Sequence, residues 1–337
     1  MSETTTTRPA SPPTPRFEAV SRRTSFTNAL GTVAGLFVAL LLMVALFSSL
    51  SQYFFSVDTF VQIANDIPAV AVTAVGMTFV LIIAGIDLSV GSVMALSAAA
   101  MGIAMLQWHW DLLPAVVLAM FTGLVVGAIN GAVTVAFRLP SFIVTLGMLE
   151  VARGLAYIAT DSRTQYIGSK IDWLGKPVLA GLSPAFFIAI AIVALAQIVL
   201  TRTVFGRCMI GIGTNEEAMR LAGVDPRPIK IAVFAIAGLL AGLGGVFLAS
   251  RLEAADPNAG SGAELVVIAS VVIGGTSLMG GRGSVVSTFF GVLVISVLEA
   301  GLAQIGASEP TKRVVTGCVI IVAVVLDTLR ERRKKRA

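Results

Sequence analysis

Apolar runs of roughly membrane-spanning length alternate with short polar or glycine-bearing interruptions along almost the whole chain. The first, Leu30 to Leu50, holds 21 residues without a charge, longer than a signal-peptide core and followed by no small-x-small cleavage site, so it is expected to stay in place. A helix of about 20 apolar residues crosses the bilayer hydrocarbon and pairs every backbone group within itself. The pattern predicts ten spans, near 30–50, 67–86, 88–107, 112–136, 139–160, 183–201, 230–250, 264–280, 284–304 and 312–329. An all-α, polytopic membrane helical bundle follows, with some spans broken or re-entrant.

Two of the runs carry breaks. Gly76 to Ala99 is interrupted by Gly85, Asp87, Ser89, Gly91 and Ser92, and Val271 to Ser287 by a cluster that begins at Gly274, Gly275 and Thr276. Such breaks are tolerated at membrane depth where they are buried in protein or line a cavity. The two share a helix–glycine–helix pattern that hints at an internal repeat. Asp87 admits two readings: a cap on a helix beginning at Leu88, accepting from the Ser89 or Val90 N–H, or a direct part in a pathway or its gate.

The third interruption, Gly206 to Pro228, is polar. Thr214 followed by Glu217 reads as a capping box, which predicts a short helix from Asn215; Gly223 and Pro226 are expected to end it. Residues 202–229 thus form a loop presenting an exposed rod of about two turns.

Ions inside the spans are few. Glu150 and Arg153, three apart, are expected to neutralise one another on one helix face; Glu264 and Glu299 stand as structural or functional with equal weight. Gly123, Gly127 and Gly131 form a small-residue stripe beside Asn130, and Gly31/Gly35 and Gly238/Gly242 are further pairs of the kind that lets helices approach closely.

Composition agrees. The chain has 337 residues, 56% hydrophobic and 13% charged, against about 25% charged in soluble domains. The net charge of +5 comes from basic residues at span ends, so it reports topology rather than nucleic acid. With the N-terminus inside, 17 of the 24 Lys and Arg residues fall in cytoplasmic segments and 6 outside, which places both termini and the 202–229 loop in the cytoplasm. Residues 1–29, rich in Thr, Pro and Ser, are expected to form a disordered tail; 30–329 form the transmembrane domain, and the basic residues of 330–337 anchor to anionic membrane lipid. The outward segments Asp161 to Leu182 and Arg251 to Gly262 are long enough to meet an external partner.

Chemistry for catalysis is thin. Cys208 and Cys318 imply neither a disulfide framework nor a metal set, and His109, the sole histidine, lies between Trp108 and Trp110 as interfacial residues do. Neither GxxxxGK[ST] nor GxGxxG occurs, so the chain is not expected to hydrolyse nucleotide or act as an enzyme.

The stretches GMTFVLIIAGIDLSVGS, RLPSFIVTLGML, GTNEEAMRLAGV and VVIGGTSLMGGRGS occur in that order, and over about residues 30–330 the chain resembles the permease subunits of ribose-type ABC sugar importers. Glu217, Ala218 and Gly223 match the EAA-x-x-x-G pattern of importer coupling loops, with Met219 at the third position. The resemblance implies a homodimer or heterodimer of permeases in the cell inner membrane, two cytoplasmic ATPase subunits that carry ATP and magnesium so that no cofactor binds this chain, and an extracytoplasmic binding protein that delivers a monosaccharide. Thr214, Asn215, Glu216, Glu217, Ala218, Arg220 and Gly223 would couple to the ATPase. Gly85, Asp87, Ser89, Gly91, Ser92, Asn130, Glu150, Gly274, Gly275 and Thr276 would line the pathway or gate. Two rivals stand beside this reading: a branched-chain amino acid importer of the same superfamily, and an ion-coupled secondary transporter using Asp87, Glu150 and Glu299 as a proton relay.

Overall fold

The computed structural model describes residues 22–334, the side chains of 22–33, 320, 323, 324 and 326–334 excepted. The described chain is helical almost throughout: α1 (Arg22–Leu50), α2 (Val57–Asp66), α3 (Pro68–Ile82), α4 (Val90–Leu106), α5 (Leu112–Phe137), α6 (Ser141–Ala159), α7 (Pro184–Arg202), α8 (Val204–Thr214), α9 (Glu216–Leu221), α10 (Pro226–Leu252), α11 (Ala263–Ile273), α12 (Val285–Gln304) and α13 (Glu309–Lys334). Among the described residues five helices are long and apolar enough to cross a membrane, or six when α2 and α3, bent by 47° at Ile67, count as one. A helix falls on each of the ten expected spans. The expected tail boundary at residue 29 lies inside α1; residues 1–21 of that tail, and the side chains of the basic end, are outside the described residues.

The centre of the bundle is α3, every residue of which except Val70 is buried, packed against α10, α11, α7 and α12. In lipid there is no water to expel from between apolar helices, so close packing has to supply the attraction. The glycine stripe supplies it here. Gly127 lies against the Phe234 carbonyl and Gly238 of α10, Gly123 against the Gly238 carbonyl, and Gly131 against Ile231, so α5 and α10 cross backbone to backbone. Gly238 and Gly242 are the other half of that contact, while Gly35 of α1 faces open space in the single chain.

At one end of the bundle the two long connections meet, β1 (Gln165–Tyr166) pairing antiparallel with β2 (Ala254–Ala255). The second of them is more than the outward loop expected from sequence. Ala255 lies against Gly102 of α4, but Gly260 touches Gly91, in the first turn of the same helix. Gly91 and Gly102 stand eleven residues, about 16 Å, apart along that helix. Residues 255–260 therefore run down α4 to the depth at which α11 begins. The expected span 264–280 is thus a short helix ending at Ile273, entered through turns in which the Ala259 N–H donates to Asp256 O and the Ser261 N–H to Asn258 O.

Candidate functional site

At the end of the bundle opposite the β1–β2 pair, three irregular segments converge: the break after α3, the break after α11, and the junction of α8 with α9. Each is built by helix-end chemistry. At the end of α3 the Ala84 N–H donates to Leu81 O and the Gly85 N–H to Val80 O, with Ala84 left-handed at φ 59°. At the end of α11 the Gly275 N–H donates to Val272 O and the Thr276 N–H to Val271 O, with Gly275 at φ 83°. Both are the same two-bond C-terminal motif. The likeness of the two breaks in sequence is thereby matched in backbone geometry, even though Ala84 occupies a conformation that costs a non-glycine residue about 1–2 kcal/mol.

α9 ends in this motif too. Gly223, at φ 84°, donates to Arg220 O, and the Val224 N–H donates to Met219 O. Its start differs from the sequence expectation. Asn215, extended at φ −162° and ψ 98°, is the N-cap, and its Oδ1 accepts from the Ala218 N–H at 3.0 Å. Thr214 is instead the last residue of α8, its hydroxyl donating to Ile210 O at 2.8 Å, and Glu217 pairs with Arg220 at 3.5 Å. The capping box is replaced because Asn215, a stronger N-cap than Thr, breaks the chain one residue later. Pro226 does not end α9 either: it opens α10 at a position where its missing N–H has no helical partner, behind the Asp225 N-cap.

No residue of α9 is buried, and Leu221 is 81% exposed. Glu216 is the anchor of this helix to the body, its carboxylate accepting from Lys230 of α10. Met219 fills the space left by Gly211 of α8, its Sδ lying 2.5 Å from where a Cβ there would be. The departure from alanine at that position is a packing choice on the inner side, and Glu217, Ala218 and Arg220 remain exposed.

Glycines tie the three segments together. A Cβ on Gly213, in the last turn of α8, would overlap the Ile82 carbonyl at the end of α3. That carbonyl accepts from the Gly281 N–H at 2.8 Å. Gly280, at φ 84°, approaches Ala84 and the Gly213 carbonyl, and Gly283 rests against the side chains of Ile82 and Thr276. Gly274 abuts the backbone of Thr288 in α12. The end of α8, one residue before α9, thus touches both breaks through main-chain atoms.

The polar groups of the first break are satisfied by neighbouring helices. The Ile86 N–H donates to Ser141 Oγ at 2.8 Å and the Leu88 N–H to Thr145 Oγ1 at 3.0 Å. Asp87, 1% exposed, accepts from the Ser89 N–H and hydroxyl at 2.9 and 2.6 Å, and Asn130 Nδ2 donates to Ser89 Oγ at 3.0 Å. Asp87 accepts from the N–H expected of it, but α4 starts at Val90 with Ser89 at the N-cap position, so the carboxylate closes the loop before the helix. Sequence reading missed Ser141 and Thr145; two hydroxyls four apart at the head of an apolar helix were the available signal.

The remaining expected residues are dispersed. Gly91 lets the Glu264 carboxylate and the Gly260 carbonyl reach α4. Ser92, the Asn130 carbonyl and Thr276 present buried polar atoms without a hydrogen-bond partner. Glu150 does not pair with Arg153: the Arg153 guanidinium donates to Pro257 O and Ala259 O at 2.6 and 3.0 Å, and Glu150 is exposed on α6. The descending 255–260 segment brings unpaired carbonyls within reach of that arginine, a competitor the helix spacing cannot reveal. Among the described residues no hydrogen bond or ion pair links Asp87, Glu150 and Glu299, and no cluster of three metal-ligating side chains occurs.

The model of the family described as branched-chain amino acid transport system / permease component matches residues 59–324. The ribose import permease protein RbsC of Escherichia coli (strain K12) is 36% identical over 321 residues, 93% of this chain and 99% of that protein. The fructose import permease protein FrcC of Rhizobium meliloti is 33% identical over 90% of this chain and 86% of its own length. The D-allose transport system permease protein AlsC of Escherichia coli (strain K12) is 34% identical over 88% of this chain and 91% of its own length. No solved structure matches.

Proposed function

The chain belongs to the branched-chain amino acid transport system / permease component family, and from that premise we propose that it is the membrane-spanning permease subunit of an ATP-driven importer of a monosaccharide. Relatives aligned over nearly their whole length and named for ribose, fructose and D-allose support a sugar over the amino acid of the family's description. The observation that carries the mechanism is the main-chain contact of α8 with both breaks.

In this reading α9 is the cytoplasmic coupling helix, presenting Glu217, Ala218, Arg220 and Leu221 to a separate ATPase subunit that binds ATP and magnesium. Asn215 and Gly223 shape it, Glu216 ties it to α10, and Thr214 passes its displacement to Gly281. Motion of α9 shifts α8, and Gly213 carries the shift to Ile82 and to the loop that holds Gly274, Gly275 and Thr276. The neighbouring elements at Gly85, Asp87, Ser89, Gly91, Ser92 and Asn130 move as the other half of the gate.

Ten spans, with both termini cytoplasmic, give the multi-pass inner-membrane arrangement, in which residues 1–29 and 330–337 flank the transmembrane domain. An extracytoplasmic binding protein delivers the sugar at the β1–β2 end. A second permease copy covers α6, where exposed Glu150 and the open faces of Gly147 and Gly154 need a polar, closely packed neighbour or a watered path at membrane depth. The ion-coupled alternative lacks support from geometry, since its three acids share no contact.

The test is ATP hydrolysis by the reconstituted complex in nanodiscs. Sugar-loaded binding protein is expected to stimulate the wild type, and Glu217→Lys to remove that stimulation while leaving membrane insertion intact. Wild-type stimulation by the variant would overturn the docking role of α9; stimulation by leucine-loaded binding protein instead of sugar would transfer the chain to the amino acid branch.

A further inference from the structure

The β1–β2 end of the bundle carries a polar cleft that the coupling account does not use. Two cavities of about 220 and 360 Å³ share Asp66 and Arg251 in their walls, and these two residues form an ion pair at 3.0 Å. The smaller cavity lies between the start of α3, the start of α7, the end of α10 and the turn at 172–177. It is below the roughly 300–1,000 Å³ of pockets for drug-sized ligands, which limits an occupant to about the size of one small ring.

Its lining has two characters. Pro68, Ala69, Ala185 and Phe247 make an apolar side. The other is charged: Asp66 pairs with Arg251 and Asp172 with Lys176, the Asp172 carboxylate holding the Lys176 ammonium pKa above its ordinary value, and Glu253 joins them, its carboxylate accepting from the Tyr166 hydroxyl at 2.9 Å. Carboxylates that accept stand beside an ammonium and a guanidinium that donate, an arrangement that suits groups that donate and accept at once. Among the described residues no metal-ligating cluster competes for this role. The Ser183 hydroxyl, in a residue 1% exposed, lines the same cavity with no hydrogen-bond partner, while its backbone N–H is used by Asn65 Oδ1 at 2.8 Å. A buried hydroxyl left unpaired is the kind of group a ligand completes.

We propose that this cleft is a holding site for one monosaccharide at the mouth of the permease, its C–H face against Phe247 and Ala185 and its hydroxyls on Ser183 and the two ion pairs. The proposal rests on the sugar-permease reading and adds to it a site within each single subunit, away from α6.

Saturation-transfer NMR on the permease in nanodiscs, without binding protein, tests it with D-ribose, D-fructose and D-allose as probes. A saturable signal is expected for the sugar that the complete importer takes up. Ser183→Ala, which removes a hydroxyl that supports no other residue, should weaken that signal by about fivefold, the worth of one hydrogen bond. Asp66→Asn combined with Arg251→Gln removes both charges of that pair together, orphaning neither, and should abolish it. No saturable signal from the wild type, or equal signals from wild type and both variants, would overturn the site; a lipid headgroup filling the cleft shows as the first of these. Uptake that persists without a saturable signal removes the holding site and leaves the permease reading standing, whereas loss of all sugar uptake by the complete importer removes both.

Discussion

Gly213 has no room for a side chain, because a Cβ there would overlap the Ile82 carbonyl. Gly213→Ala must push α8 away from the end of α3. Overpacking of this kind costs about 1–3 kcal/mol, so a lower unfolding temperature in nanodiscs and a loss of sugar-stimulated ATP hydrolysis are expected together. Gly35→Ala, at a position with nothing within 4 Å, should leave both unchanged. Thr145 is the second residue with a defined role, since its hydroxyl takes the Leu88 N–H where no water reaches. Thr145→Val keeps the volume and orphans that donor, a destabilisation of about 1–3 kcal/mol that Thr145→Ser should largely restore; thermal unfolding of the two variants side by side measures it. Sequence carried part of this. The Ser89 N–H as donor to Asp87 follows from spacing within three residues, but Ser141 and Thr145 come to the same loop from more than 50 positions away, a proximity that no local rule contains.

Among elements, the α5–α10 crossing and the α8–α9 junction decide the architecture. The glycine stripe announced the first, because glycines four apart have one strong use between apolar helices. Gly127→Val would drive two methyls into the Phe234 carbonyl and Gly238, forcing the helices apart. Loss of folded protein on size-exclusion in detergent is the expected outcome, and an undisturbed peak would show that the crossing tolerates separation. The α8–α9 junction was legible as a short exposed helix with a glycine end, and misplaced by one residue at its start. Thr and Asn compete there for the cap, and only the extended backbone of Asn215 settles which of them holds it. Residues 255–260 were not legible as a membrane-depth segment. Their polar composition resembles an outward loop, and what satisfies them, Arg153 and the open side of Gly91, belongs to other helices.

For the whole molecule, apolar run length placed a helix on each expected span, because helix formation is the sole local way to pair the backbone in lipid. Run length does not distinguish a continuous span from a series of turns joined to a half-length helix, which is why α11 is shorter than expected. The assembled chain reads as one lever, with α9 exposed at one end, α8 at the fulcrum, and both breaks in main-chain contact with it. That lever matters if the chain imports sugar at the cost of ATP. The most direct measurement is uptake into proteoliposomes that contain this permease, its cognate ATPase and its binding protein, with labelled D-ribose, D-fructose, D-allose and L-leucine presented in parallel. Accumulation of one of the sugars that requires ATP and the binding protein, with none of leucine, is the predicted result. Leucine accumulation, or sugar uptake driven by a proton gradient in the lone chain, would contradict it.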